Sequence, residues 1–257
     1  MLKTPRLSVV GAGPGDIELI TLKAIKVLRD ADVVLYDALV DTALLNYAPD
    51  AEHIYVGKRK GCYTYQQEQI NELIVSRANT HGHVVRLKGG DPMVFGRGAE
   101  EMEYASRFGL ETYMVPGISS CMAVPASQDI PVTKRGIAES FWVITATTRN
   151  HQISKDIFLA AKSNATIVIL MGMSKLEHIV EIFKTEGKED LPVGIIQNGT
   201  REDENIGIGK ISNITEVVAE KNLKNPAIII IGEVVEQREK MIRLREQMAY
   251  KETAQWQ

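Results

Sequence analysis

Short runs of apolar, mostly β-branched residues alternate with segments of helical periodicity along nearly the whole chain. Leu7 to Val10, Val33 to Tyr36, Val84 to Leu87, Phe141 to Thr145, Thr166 to Leu170, Val193 to Ile196 and Ala227 to Ile231 read as strands. Several lack polar alternation, the pattern of strands covered on both faces. Between them Leu22, Ile25 and Leu28, and later Ile70, Leu73, Ile74 and Ala78, recur at helical spacing and predict amphipathic helices. A third helix is predicted over Glu100 to Phe108. The alternation specifies an α/β fold, and the absence of an internal repeat sets solenoids and propellers aside.

The pattern breaks at Val115-Pro116-Gly117, where a strand-like run meets a turn and the small-residue stretch Ile118 to Ala126 follows. Two α/β domains are expected, 1–116 and 117–237, with a ligand cleft between them. A charged helical tail, 238–257, follows, in which Arg238, Glu239, Lys240, Arg243, Arg245 and Glu246 surround Met241, Ile242, Leu244 and Met248. A length of 257 residues suits that division.

Composition narrows the partners. With 44% hydrophobic and 25% charged residues the chain is not a disordered one, and 30 Lys plus Arg against 33 Asp plus Glu leave −3, no basic field for nucleic acid. Cys62 and Cys121 form neither a CxxC pair nor a disulfide framework, which fits a reducing, cytoplasmic setting. The opening Met1-Leu2-Lys3-Thr4-Pro5-Arg6 is too short for a signal peptide, and the longest apolar candidate for a membrane span ends at Gly232. No membrane partner is expected.

Candidate chemistry gathers at glycine-rich turns. Gly11-Ala12-Gly13-Pro14-Gly15-Asp16 follows the first strand, where a loop can approach a nucleotide, but Asp16 stands where a dinucleotide fingerprint needs its third glycine. A tight turn with Asp16 capping the next helix remains equally open. The second cluster, Arg86-Leu87-Lys88-Gly89-Gly90-Asp91-Pro92 through Phe95-Gly96-Arg97-Gly98, ends a strand, and Asp91 there can accept hydrogen bonds from a ribose or an amine. Lys58-Arg59-Lys60 lies between Gly57 and Gly61. Together with Arg86, Lys88, Arg97, Lys134, Arg135 and Arg149 it suggests a cation-lined cleft for a polyanion. His53, His81, His83, His151 and His178 match no metal spacing, so no metal is expected, and His81 and His83 are expected to face solvent. No GxSxG elbow supports a serine hydrolase.

These motifs carry a resemblance. The first glycine loop, then Ala31-Asp32-Val33-Val34-Leu35-Tyr36-Asp37-Ala38-Leu39-Val40, Val56-Gly57-Lys58-Arg59, the Arg86 to Gly98 stretch, Val115-Pro116-Gly117-Ile118-Ser119-Ser120, Ile130-Pro131-Val132-Thr133, Gln197-Asn198-Gly199-Thr200 and Pro226-Ala227 run in the order found in tetrapyrrole methylases. The chain resembles that family from about Leu7 to Val235. The Gly-Lys-Arg turn and the Arg86 stretch resemble the members that methylate uroporphyrinogen III twice, toward sirohaem and cobalamin.

The resemblance implies S-adenosyl-L-methionine as cofactor, S-adenosyl-L-homocysteine as product and a homodimer. It implies a cofactor site lined by Pro14, Gly89, Gly90, Asp91, Val94, Ser119, Ser120, Met171, Gly199 and Ala227, with Ser119-Ser120 where relatives often carry Thr-Ala. Asp37 resembles the family's proton acceptor and Lys58 its proton donor, though Lys58 can equally hold a substrate carboxylate. Arg59, Arg97 and Arg135 are expected to clamp substrate carboxylates, because a planar guanidinium matches that geometry. Other readings are a methyltransferase acting on a later corrin precursor and a non-catalytic tetrapyrrole-binding regulator. The presence of both Asp37 and Lys58 favours an enzyme.

Overall fold

The computed structural model describes residues 4–57, 65–148, 150 and 152–254, and the chain divides into two compact units, Met1–Ser120 and Cys121–Gln257. In the first, β1 (Arg6–Gly11), β2 (Val33–Tyr36), β3 (Glu52–Tyr55), β4 (His83–Lys88) and β5 (Glu111–Val115) form one sheet in the order β3-β2-β4-β1-β5. Every pairing in it is parallel. The side chains of β4 alternate between two cores, Val84 packing with Leu7, Val9, Ile70 and Ile74 on one face and Val85 with Val10, Leu28 and Val34 on the other. Burial on both faces explains why these strands read as continuous apolar runs.

The helices of this unit begin and end on identifiable groups. Thr21 accepts from the Ala24 N–H at 3.1 Å and starts α1 (Leu22–Arg29). Gln66 and Gln69 form a reciprocal capping box at α2 (Gln67–His81), which stops at Gly82 with φ 107°. α3 (Gly98–Arg107) follows the second glycine cluster. Because all five strands run the same way, the segments after them emerge at one edge of the sheet, where open α/β sheets bind ligands. Those segments carry Pro14, Asp37, Gly57, Gly89 and Gly117.

The second unit is built on a mixed sheet, ordered β6-β7-β10-β8-β9, of β6 (Phe141–Thr145), β7 (Thr166–Leu170), β8 (Pro192–Gln197), β9 (Asn205–Lys210) and β10 (Ala227–Ile231). β6 and β7 are parallel and the other pairings antiparallel. Around it lie α4 (Ser120–Ser127), α5 (Asp156–Lys162), α6 (Leu176–Thr185), α7 (Ile214–Glu220) and α8 (Gln237–Ala254). α8 is the charged tail, tied to its own unit by Arg245, which grips both oxygens of Asp129, and by Arg238, whose Nε donates to Gln128 at 3.3 Å.

One expectation is corrected here. His83 does not face solvent; it is buried at the start of β4, with Nδ1 2.9 Å from the Asp30 carbonyl and Nε2 2.9 Å from Ser8 Oγ. A buried imidazole satisfied on both nitrogens is a core residue that periodicity alone does not reveal. No helix among the described residues is long and apolar enough to cross a membrane.

Candidate active site

Three glycine-bearing turns of the first unit meet backbone to backbone. Gly13 and Gly90 exchange hydrogen bonds, at 3.3 Å from the Gly13 N–H and 2.7 Å from the Gly90 N–H. A Cβ on Gly11 would lie 2.4 Å from the Gly117 nitrogen, and one on Gly117 would lie 2.3 Å from the Gly90 carbonyl oxygen. Only glycine allows that approach. Asp91 fastens the assembly: its Oδ2 accepts from the Gly117 N–H at 3.0 Å and its Oδ1 from the Met93 N–H at 2.8 Å. The Asp91 carboxylate therefore holds its own chain through one donor on each oxygen.

Asp16 likewise turns inward, accepting from the Glu18 N–H at 2.8 Å and capping the short turn Ile17–Leu19, so the tight-turn reading of this loop is the one the fold adopts. Pro14 is half-buried beside it. Gly90, in left-handed backbone at φ 68°, is half-buried and has room for a Cβ, which would meet the Ser119 and Ser120 backbone at 3.9 Å. Val94 is half-buried in the following loop and Met93 and Phe95 are exposed. Gly89 leans against Leu39, whose Cβ would stand 2.6 Å from a side chain there.

Asp37 follows β2 at the same edge. Its Oδ1 accepts from the Leu39 N–H at 3.1 Å and its Oδ2 faces Arg86 Nη2 at 3.4 Å, with the side chain 24% exposed. Arg86 also donates from Nε to Glu101 Oε1 at 3.2 Å, and Lys88 Nζ reaches the same oxygen at 3.1 Å. Arg86 and Lys88 are both buried, which removes them from the expected cation-lined cleft. They lie on one face of β4, turned toward the helices. Burial, followed by the neighbouring Arg86 charge, lowers the Lys88 pKa from its ordinary value, opposed by Glu101 and Asp37.

Arg97 and Arg135 sit at the surface. Arg97 occupies the N-cap of α3 in left-handed backbone and pairs with Glu100, a hydrogen-bonded contact that raises its pKa. Arg135 projects from a turn closed in both directions between Lys134 and Ala138 at 2.9 Å. Lys58 and Arg59, with Lys60 and Arg149, lie outside the described residues.

In the second unit, Met171, Gly199 and Ala227 fall at one end of the sheet. Met171 follows β7, Gly199 follows β8 by two residues, and Ala227 opens β10, where it is paired with Gln197 while its neighbour Ile228 is paired with Leu170. Met171 is half-exposed in left-handed backbone at φ 56°, and Thr147 Oγ1 donates to its carbonyl at 3.2 Å. A Cβ on Gly199 would collide with Val124 of α4 at 2.3 Å, so glycine is required there by packing.

A family model described as Tetrapyrrole (Corrin/Porphyrin) Methylases matches residues 6–215. The chain belongs to this family. Among similar tetrapyrrole methylases, uroporphyrinogen-III C-methyltransferase of Methanocaldococcus jannaschii is 45% identical over 235 residues, covering 90% of this chain and 97% of that protein. The crystal structure of a uroporphyrin-III C-methyltransferase from Thermus thermophilus complexed with S-adenosylhomocysteine shares 38% identity and superposes with a TM-score of 0.78. It covers 90% of this chain and 99% of that one. A cobalt precorrin-4 methyltransferase of cobalamin biosynthesis superposes with a TM-score of 0.80 at 28% identity, covering 90% of this chain and 95% of that one.

The residues of this tetrapyrrole methylase suit S-adenosylmethionine. Gly90 offers bare backbone with no side chain in the way of a ligand, and the sulfonium needs no metal to make its methyl group electrophilic. Among the described residues no group of three or more His, Cys, Asp or Glu is placed to hold a metal ion. Two contributors escaped the sequence reading. Glu101 is wholly buried on the face of α3 that also presents Gly98 and Ala105, and a carboxylate in such an apolar stripe is a signal that was available. Thr147, which fastens Met171, carries no sequence signal, because its partner is a main-chain atom distant in the chain.

Proposed function

We propose that this tetrapyrrole methylase is an S-adenosylmethionine-dependent C-methyltransferase that methylates uroporphyrinogen III twice, yielding precorrin-2 for sirohaem and cobalamin synthesis. The observation that carries the reading is the 45% identity, across nearly the full length of both chains, to a uroporphyrinogen-III C-methyltransferase. The glycine turns beside a tethered, part-exposed Asp37 support it.

S-adenosylmethionine, when bound, supplies an electrophilic methyl group and leaves as S-adenosylhomocysteine. A pyrrole carbon of the macrocycle donates the electron pair of the new carbon–carbon bond, while the sulfur–methyl bond breaks with its electrons going to sulfur. The positive charge left on the macrocycle is discharged by loss of a proton, which we assign to Asp37. The Leu39 N–H and Arg86 hold that carboxylate in place and leave it lone pairs for the proton. Lys58 is assigned to the substrate, either supplying a proton to the macrocycle that its later deprotonation returns or holding a substrate carboxylate.

We assign Pro14, Gly89, Gly90, Asp91, Val94, Ser119 and Ser120 of the first unit, and Met171, Gly199 and Ala227 of the second, to the cofactor. Asp91 takes part through its backbone, its carboxylate being engaged by Met93 and Gly117. Arg59, Arg97 and Arg135 are assigned to substrate carboxylates. Since the methyl donor is already activated, alignment is the protein's main contribution, and well-oriented reactants gain roughly 7–11 kcal/mol.

The decisive experiment mixes the pure protein anaerobically with S-adenosylmethionine and uroporphyrinogen III and looks by mass for two added methyl groups. Absence of methylated product overturns the reading. Turnover of a later corrin precursor would then identify the other enzyme, and binding without turnover a regulator. We further infer a homodimer acting in the cytoplasm; sedimentation as a monomer at micromolar concentration would refute the dimer.

A further inference from the structure

β4 ends in two cations separated by one residue, so Arg86 and Lys88 leave the sheet on the same face and both meet Glu101 Oε1, at 3.2 and 3.1 Å. A third donor, Gln67 Nε2 of α2, reaches that oxygen at 3.1 Å and also Asn71 Oδ1 at 3.1 Å. The Glu101 side chain is 0% exposed, and its Oε2 has no hydrogen-bond partner. Arg86 is pinned from its other side, Nη1 donating to the Leu35 carbonyl at 3.4 Å and the Leu87 carbonyl at 3.0 Å, which leaves Nη2 turned to Asp37 at 3.4 Å.

Buried ions are a poor way to fasten a helix to a sheet, since well-packed apolar side chains generally do as well or better. A single guanidinium fixed between one wholly buried carboxylate and one part-exposed carboxylate calls for another account. We propose that Glu101 is a positioning residue which, with Lys88, holds Arg86 between two carboxylates and so sets how strongly Asp37 takes up a proton. The inference rests on the assignment of Asp37 as the proton acceptor.

Charge counting gives the direction. With Glu101 present, two cations are shared by two carboxylates; without its charge, Arg86 and Lys88 both act on Asp37 and make it a weaker base. Loss of Lys88 acts oppositely, because Glu101 then draws Arg86 toward itself. The charged groups of this cluster are Arg86 and Lys88 on β4 and Glu101 on α3, while α2 presents neutral Gln67 and Asn71. Tyr36 precedes Asp37 on β2 and packs edge-on against Tyr55 of β3, at 5.5 Å between ring centres. Arg97 interacts with Glu101 from farther out.

The test is the single-turnover methylation rate of uroporphyrinogen III as a function of pH, for the full-length protein and for the E101Q, K88M and D37A variants, with cofactor affinity and thermal melting in parallel. Glu101→Gln should move the acidic limb to lower pH by about half a unit to one unit and lower the plateau. Lys88→Met should move the limb to higher pH, and cofactor affinity should stay near that of the parent in both. If Glu101→Gln does not fold, the direction of the Lys88→Met shift decides. Limbs unmoved in the folded variants, or moved the same way, overturn the role of Glu101 even when Asp37→Ala is inactive. A fully active Asp37→Ala protein would instead remove the assignment of Asp37, and with it this inference.

Discussion

The two ends of β4 both bury polar side chains, and they do so to different ends. At the start of the strand, His83 donates from Nδ1 to the Asp30 carbonyl, accepts from the Ser8 hydroxyl, and has its own N–H bonded to Asp32 at 2.9 Å. That cluster also meets Arg6, whose Nη2 lies 3.3 Å from Nδ1, and it borders a cavity lined by Arg6, Asp30, Asp32 and Glu111. At the other end, Arg86 and Lys88 converge on Glu101, and the chain of contacts runs outward to Asp37, a quarter exposed beside the glycine turns. Burial of polarity alone thus identifies neither a structural nor a chemical role. What separates the two is the edge of the parallel sheet on which each lies.

Four measurements can break or sharpen that contrast. Asp37→Ala should lower turnover by about 10²–10⁴-fold, the usual contribution of a general base, while cofactor affinity and the urea midpoint stay near those of the parent. Turnover at the parent rate would break the contrast at once. Gly117→Ala should destabilise the protein by up to about 3 kcal/mol and weaken cofactor binding, because its Cβ would press on backbone. Gly90→Ala, with open space but a left-handed backbone, should cost only about 1–2 kcal/mol; equal midpoints for the two variants would contradict the backbone stack.

Arg97→Ala should raise KM for the tetrapyrrole about tenfold and spare cofactor affinity, the scale of one charged hydrogen bond. A matching loss of cofactor affinity would refute that division of labour.

The smallest effect belongs to the His83 end. Burial, helped by the Arg6 charge, lowers the folded-state pKa of His83 below its ordinary 6.5, so below that value the unfolded chain takes up a proton that the folded one refuses. Its contribution to stability is full above pH 6.5 and is lost as the pH falls through the folded pKa. Urea unfolding followed downward from neutrality should show this loss with a slope of at most about 1.4 kcal/mol per pH unit, absent in His83→Gln. Turnover of that variant should match the parent, in contrast to Asp37→Ala.

Strands buried on both faces were legible from the chain itself: β2, β7 and β10 coincide with their apolar runs, and so does β6, an edge strand with Trp142 exposed, because it too is an unbroken apolar run. β3 and β9 escaped because neither is a continuous apolar run, one being Glu-His-Ile-Tyr and the other interrupted by glycines. α4 escaped because its short apolar stretch contains Pro125 and no periodicity. α6 was readable, since Leu176, Ile179, Val180 and Phe183 fall at helical spacing, and it went unread. The glycine clusters were visible as clusters, but that Gly11, Gly90 and Gly117 touch one another is a tertiary fact. The roles expected for Arg86 and Lys88 erred for one reason: residue type tells what a side chain can bind and not whether a neighbour has already bound it.

The stack of bare turns also divides the molecule into what can vary and what cannot. With no side chain between Gly11, Gly90 and Gly117, nothing there can be trimmed or enlarged to reshape a binding surface, and substitution breaks the wall instead of recontouring it. Met93 and Phe95, exposed on the loop that Asp91 anchors, have no such packing constraint, although Phe95 sits in left-handed backbone at φ 54°. Attempts to redirect this scaffold toward another macrocycle should therefore begin with libraries at those two positions and leave the glycines untouched.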